Sequence, residues 1–176
     1  MSKVIRFSLS AESIDKAIGE LTTYIESIKA KTDRLRELIA ERIAWSAAEG
    51  FSTAVADDIF TGGERPTGNV SVNVGNNGDL SVVIADGSDA VFIEFGAGVY
   101  YNGSAGSSPH PKGAENGFLI GEYGKGQGKR NVWALPGSVR GNPILTHGTP
   151  AAMPMYHGVQ AAIEAIDELA REVFGS

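Results

Sequence analysis

Three histidines, His110, His147 and His157, are the only imidazoles in the chain. Imidazole is the commonest general base at neutral pH and the commonest metal ligand. Neither use is written into their spacing: no two stand at helical i,i+4 positions and none completes a His-Glu-x-x-His helix. His110 lies in a Pro-flanked loop, His147 in Thr146-His147-Gly148-Thr149, and His157 near the start of a helical pattern. A hydrolase would have to join His110 or His147 to a carboxylate, and a composite metal site would have to borrow Glu94 or Asp86. No motif marks either arrangement. The chain has no Cys, so thiolate chemistry and disulfides are excluded and zinc would rest on His and carboxylates alone.

Other chemistries fare no better. Gly121 to Lys129 is rich in Gly, but a phosphate-binding loop needs Gly, four residues, then Gly-Lys-Ser/Thr. Counting back from Gly128-Lys129 places Tyr123 where the first Gly belongs, and Arg130 replaces the magnesium-binding hydroxyl. Ser104, Ser107 and Ser108 precede His110, yet no Gly-x-Ser-x-Gly elbow is present. Asp57-Asp58 falls at a helix end, where solvation explains it. Glu94 is the one acid inside the apolar run Val91-Phe92-Ile93-Glu94-Phe95. A buried carboxylate there would need donors. The run is too short for periodicity to assign, and strand alternation would turn Glu94 to solvent or to a neighbouring subunit. The reading is of no catalytic residue, no metal ligand and no cofactor.

The elements that would position these residues follow from the hydrophobic pattern. Residues 3–9 alternate and predict a short strand. Ser10 can cap a helix in which Ile14, Ile18, Leu21, Ile25 and Ile28 recur at spacings of four and three, a buried stripe on an amphipathic helix. Thr32-Asp33 can cap a second helix with Leu35, Leu38, Ile39, Ile43 and Ala47 as its core face and Trp45 under a sheet. The stripe carries across residues 30–32 almost in register, so one helix or two remains open. Residues 61–68 read as loop. Val70, Val72 and Val74, then Leu80, Val82 and Ile84, alternate with polar or smaller residues around Asn77-Gly78, which predicts a hairpin with one covered face. Residues 132–135 and 139–146 read as further strands. Pro154 opens a last helix whose predicted core face is Val159, Ala162, Ile163, Ile166, Ala170 and Val173.

Between the sheet segments lies a long Gly-rich loop, 96–131. It is locally basic through Lys112, Lys125, Lys129 and Arg130, and it carries Tyr100, Tyr101, Phe118 and Tyr123, aromatics a mere linker does not need. The expected fold class is α+β: a curved antiparallel β-sheet packed against N-terminal helices and a C-terminal helix. The chain reads as a single domain, 1–176, with a helical N-terminal region over 1–60, a sheet over 69–146 and a closing helix over 152–174. A formal charge of −6 argues against a general nucleic-acid binder. No window approaches 18 uninterrupted apolar residues and the first ten residues carry no secretory pattern, so the expectation is a cytoplasmically made protein with no membrane span.

Taken in order, Pro66-Thr67-Gly68 before a Val-rich hairpin, then Phe92-Ile93-Glu94-Phe95-Gly96-Ala97-Gly98, then Pro150-Ala151 with Pro154-Met155 and a closing helix, resemble the tail-completion (head–tail joining, neck) proteins of tailed bacteriophages. Ala97 stands where that family usually has Thr, and Met155 where Phe is common. The likeness spans roughly residues 30–174, and the loop 96–131 is an elaboration on it. The resemblance implies a structural virion protein, assembled in the host cytoplasm, with no reaction to catalyse. Copies would form a homo-oligomeric ring, a hexamer in preference to a dodecamer, between the connector or portal side and the tail terminator or tail tube. DNA would pass the lumen without specific binding. Glu94 and Phe95, and the loop residues Tyr100, Tyr101, Tyr123, Lys125, Lys129 and Arg130, are the expected interface residues. The alternatives are another virion component (a tail terminator or minor capsid protein), a small hydrolase using His110 or His147, or a ligand-binding module built on the aromatic loop.

Overall fold

The computed structural model describes residues 4–58, 63–66, 69–98, 108–117, 133–139 and 142–175. The fold is α+β. In order, the elements are α1 (Ala11–Thr53), β1 (Val55–Asp58), β2 (Gly63–Pro66), β3 (Ser71–Asn77), β4 (Leu80–Asp86), α2 (Ala90–Phe95), β5 (Ala97–Gly98), β6 (Trp133–Val139), β7 (Asn142–Thr146), β8 (Gly148–Thr149) and α3 (Pro154–Phe174). The strands pair antiparallel and two by two: β1 with β2, β3 with β4, β5 with β8, and β6 with β7. Residues 4–9, expected as a strand, are not in one, and residues 63–66, expected as loop, are. No helix among the described residues is long and apolar enough to cross a membrane. The chain divides into two compact units, Met1–Ile39 with Ala165–Ser176, and Ala40–Glu164.

α1 is one helix. Its start is capped as expected: the Ser13 amide donates to Ser10 Oγ at 3.3 Å, and the Ile14 amide to the Ser10 carbonyl at 3.1 Å. Thr32 and Asp33 do not begin a second helix. The Thr32 hydroxyl donates to the Ile28 carbonyl at 2.9 Å and Asp33 pairs with Arg36 at 2.9 Å, so both are satisfied inside a continuing helix. Nothing between Ala30 and Thr32 breaks the backbone, since Ala and Lys are strong helix formers. Arg34 and Glu37 form the expected surface pair at 3.4 Å.

The first unit leaves its apolar stripe open. Ile18 is 57% exposed, Leu21 48%, Ile25 58% and Ile28 38%, where the periodicity predicts burial. Ile5 and Phe7 flank the stripe and line an open apolar groove with Ile14, Ala17, Ile18 and Leu21.

The second unit holds the core. Ala47, Phe51 and Ala54 meet Ala90 and Ile93 of α2, with Val70, Val72, Ala85, Ala152 and Met155 packed around them. α1 and α3 approach closely here. A Cβ on Gly158 would sit 2.8 Å from the Ile43 carbonyl oxygen, and one on Gly50 would sit 2.9 Å from Pro154 Cβ. Trp45 is not under a sheet: it is 62% exposed, with the Arg42 guanidinium 5.5 Å from its ring centre.

The β3–β4 hairpin forms with Asn77 opposite Leu80, so its turn is Gly78-Asp79, one residue beyond the expected Asn77-Gly78. Only Gly78 there has positive φ, at 58°, the pattern of a turn with Gly in its first central position. The register sets Val72 opposite Ala85 and Val74 opposite Val83, and Val72 and Ala85 face the core. Leu80, Val82 and Ile84, expected on the covered face, are exposed. Because strand side chains alternate, putting Val83 and Ala85 inside necessarily turns those three out. α3 begins at Pro154 as expected, and Ala162 and Val173 are buried, but Val159, Ile163 and Ile166 are exposed.

Candidate functional site

α3 poses a specific problem at its first turn. An α-helix begins with amides that have no partner inside it, usually met by a Ser, Thr, Asp or Asn at the cap. Here the preceding residues are Ala151, Ala152 and Met153, and none has a capping side chain. Pro154 removes one orphan by having no N–H. The Met155 amide donates to Glu94 Oε2 at 2.8 Å, and the Tyr156 amide donates to Glu94 Oε1 at 3.0 Å. The His157 amide donates to the Met153 carbonyl at 2.9 Å. The first turn is thereby fully satisfied, and its cap comes from a residue some sixty positions earlier in the chain. Met153 is held at φ 51°, a left-handed conformation unusual outside Gly, which bends the chain into the helix.

Glu94 reaches this position because residues 90–95 form α2 rather than a strand. One helical turn places Ala90, Ile93 and Glu94 on the inward side, and Gly96 at φ 81° ends the helix. Glu94 is 6% exposed. The expectation that it faces solvent or a neighbouring subunit is therefore corrected: its carboxylate is turned inward and engaged within its own chain. A backbone bond from the Ala152 amide to the Ile93 carbonyl at 2.9 Å holds the same two segments together.

The third ligand of Glu94 is His110, whose Nε2 lies 3.0 Å from Oε1. The Lys112 amide donates to His110 Nδ1 at 3.0 Å. Nδ1 is thus an acceptor, which assigns the proton to Nε2 and makes His110 a donor to Glu94. Ser108 Oγ accepts from the His110 amide at 3.2 Å, and the Gly113 amide closes the turn onto the His110 carbonyl at 2.8 Å. The Phe95 ring lies 4.4 Å from the imidazole, centre to centre, and the Tyr156 ring 5.6 Å. Both side chains of the pair are largely buried, with the two rings tilted against the imidazole, and a hydrogen bond in such surroundings is stronger than in solvent.

Chemically this cluster is a clasp. A histidine acting as general base needs a nitrogen lone pair directed at a substrate. Here one nitrogen faces a carboxylate and the other a backbone amide. Among the described residues Glu94 receives three donors, contacts that offset the cost of burying a carboxylate. No group of three or more His, Cys, Asp or Glu side chains among the described residues could hold a metal ion. His147 lies between β7 and β8, beside the buried Thr146, whose Oγ1 accepts from the Gly148 amide at 3.0 Å. His157 is on α3, with its ring 5.5 Å from that of Tyr156.

Of the residues expected at an interface, Glu94 and Phe95 come together with His110. Tyr100, Tyr101, Tyr123, Lys125, Lys129 and Arg130 lie outside the described residues. The stretch of the loop that is described, 108–117, is a series of turns built around His110. No protein-family model, curated protein or solved structure matches the chain.

Proposed function

We propose that the chain is a structural assembly protein of a tailed bacteriophage, a neck or tail-completion component that works through protein–protein interfaces and carries no catalytic centre. The observation that carries this reading is the role of Glu94. Two of the segments on which the resemblance rests, Phe92-Ile93-Glu94-Phe95-Gly96-Ala97-Gly98 and Pro150-Ala151 with Pro154-Met155, are joined by a buried carboxylate that caps α3. The engagement of Glu94 by two backbone amides and His110 supports a structural role for these segments. A hydrolase using His110 is disfavoured because both of its ring nitrogens are taken.

Open apolar surface supports an assembly role. Leu80, Val82 and Ile84 on the hairpin, and Val159 and Ile163 on α3, are exposed in the single chain. Surfaces of this kind mark sites of protein contact. In this reading copies of the chain close a ring by head-to-tail contacts, hexameric in preference to dodecameric. The ring meets the connector on one side and the tail terminator or tube on the other, and DNA passes without specific binding. Tyr100, Tyr101, Tyr123, Lys125, Lys129 and Arg130 serve the contacts between subunits or toward the lumen.

The test is genetic and structural. A phage that encodes this chain but cannot make it should accumulate filled heads and free tails, and purified chain should join them in vitro. Normal joining without the chain overturns the reading.

A further inference from the structure

The unbroken course of α1 gives its apolar stripe a meaning that two separate helices would not have. Ile14, Ile18, Leu21, Ile25, Ile28, Thr32, Leu35 and Ile39 follow one another at alternating steps of four and three residues. That is a heptad repeat with Ile18, Ile25, Thr32 and Ile39 at one core position and Ile14, Leu21, Ile28 and Leu35 at the other. A seam of period 3.5 is the pattern by which two helices pack knobs into holes. The stripe is nevertheless open through its middle four apolar members, Ile18 to Ile28.

The charges on the same helix identify its partner. Residues 11–26 carry four acids (Glu12, Asp15, Glu20, Glu26) against one base, Lys16. Residues 27–39 carry four bases (Lys29, Lys31, Arg34, Arg36) against two acids, Asp33 and Glu37. A second copy running antiparallel lays the acidic half of each helix on the basic half of the other, whereas a parallel copy stacks like on like. We propose that residues 14–39 of α1 pair antiparallel with the same residues of a second copy of this chain, forming a two-fold symmetric coiled coil.

The register follows from matching core layers. Ile25 meets Ile28 of the second copy, Leu21 meets Thr32, Ile18 meets Leu35 and Ile14 meets Ile39. Thr32 is the single polar core residue, and its hydroxyl is already bonded to the Ile28 carbonyl, so the layer buries no unmet donor. Flanking the seam, Asp15 comes opposite Arg36 and Ala17 opposite Leu38. Arg36 also holds Asp33, and its fork of five donors serves both carboxylates. The parallel alternative would set Lys31 against Arg36 twice. Ile5 and Phe7, which flank the seam near Ile14 and Ile18, widen the apolar surface offered to the second helix. The contact is isologous and uses only this helix and its leading segment, so it stands whether or not the chain also closes a ring by other surfaces.

The full-length chain tests the pairing directly, because it contains no Cys and single thiols are unambiguous. Ile18→Cys and Leu35→Cys chains, mixed and oxidised, should give the crosslinked heterodimer, and Ile18→Cys alone should give none. In the antiparallel pair its two copies are 17 residues out of step, about 25 Å apart at the helical rise and beyond disulfide reach. Self-crosslinking of Ile18→Cys, or no crosslink in the mixture, overturns the proposal. In sedimentation equilibrium, Ile25→Asp should weaken self-association at least about tenfold. Asp15→Arg should weaken it as well, and adding Arg36→Glu should restore it. A wild-type chain that stays monomeric, or a charge swap that fails to rescue the folded variant, overturns it equally.

Discussion

The two units handle unsatisfied groups in opposite ways. In Ala40–Glu164 the scarce commodity is polar partners, and the chain supplies them from a distance: Glu94 meets two α3 amides and His110. In the unit containing Met1–Ile39 the polar contacts described are local, Ser10 capping the helix and Thr32 bonding within it, while the apolar stripe is left open. The first arrangement closes a fold on itself. The second leaves hydrophobic free energy to be gained only when something else arrives. Substitutions at equivalent-looking positions should therefore behave differently in the two units.

The largest effect is expected at Glu94. Glu94→Ala leaves the Met155 and Tyr156 amides and His110 Nε2 without their acceptor in a buried site. Charge-assisted bonds of this kind contribute about 1.5–3 kcal/mol each and caps about 1 kcal/mol, with heavy overlap between them. Unfolding in urea should show a loss of roughly 3–4 kcal/mol. Amide exchange at Met155 and Tyr156 should accelerate before that of the rest of α3. Glu94→Gln keeps one good acceptor and should lose about half as much. A loss below about 1 kcal/mol for Glu94→Ala would mean that the clasp is incidental.

Next comes the close crossing of α1 and α3. Gly158→Ala brings a Cβ within 2.8 Å of the Ile43 carbonyl and 3.4 Å of Ala47 Cβ. The obstacle is backbone, so the helices must separate, at a cost of about 1–3 kcal/mol. A thermal midpoint lowered by roughly 5 °C checks this. His110→Ala should follow at about 1–2 kcal/mol, since it removes one donor to Glu94 and the packing between Phe95 and Tyr156 but leaves the α3 cap in place. His110→Ala that destroyed a hydrolytic activity while sparing stability would reverse the reading of the clasp.

Much of this was legible in the sequence at the level of elements and little at the level of pairings. Ser10 as a cap, Pro154 as the first residue of α3 and the β3–β4 hairpin follow from local rules, and all three are present. The continuous α1 was half legible: the stripe ran through residues 30–32, but Thr32-Asp33 resembles a cap in any sequence. The covered face of the hairpin is not legible in the sequence, because Leu80, Val82 and Ile84 alternate as well as Val83 and Ala85 do, and only the packing partner decides which set turns in. The exposure of Val159, Ile163 and Ile166 is illegible for a related reason, since periodicity reports an apolar face and not what covers it. The clasp was missed entirely, although both halves of its signal were present. An acid inside an apolar run needs donors, and a helix opening with Ala-Ala-Met-Pro needs an acceptor. Each is an incomplete feature, and each completes the other.

The smallest expected effect has the opposite sign and gives the sharpest comparison. Gly19 lies on α1 in the first unit, and a Cβ there meets nothing within 4 Å. Gly in an exposed helix interior costs about 1 kcal/mol relative to Ala, because it gives up more backbone freedom on folding. Gly19→Ala should therefore stabilise the chain by about 0.5–1 kcal/mol, raising the thermal midpoint by roughly 2 °C. Gly158→Ala, the same change in the second unit, should destabilise it. The added methyl on residue 19 is next to the seam residue Ile18 but is not itself in the seam, so it should leave self-association unaltered. If Gly19→Ala were destabilising, something would have to approach the helix as closely as Ile43 approaches Gly158, and the contrast between an open helix and a closed fold would fail.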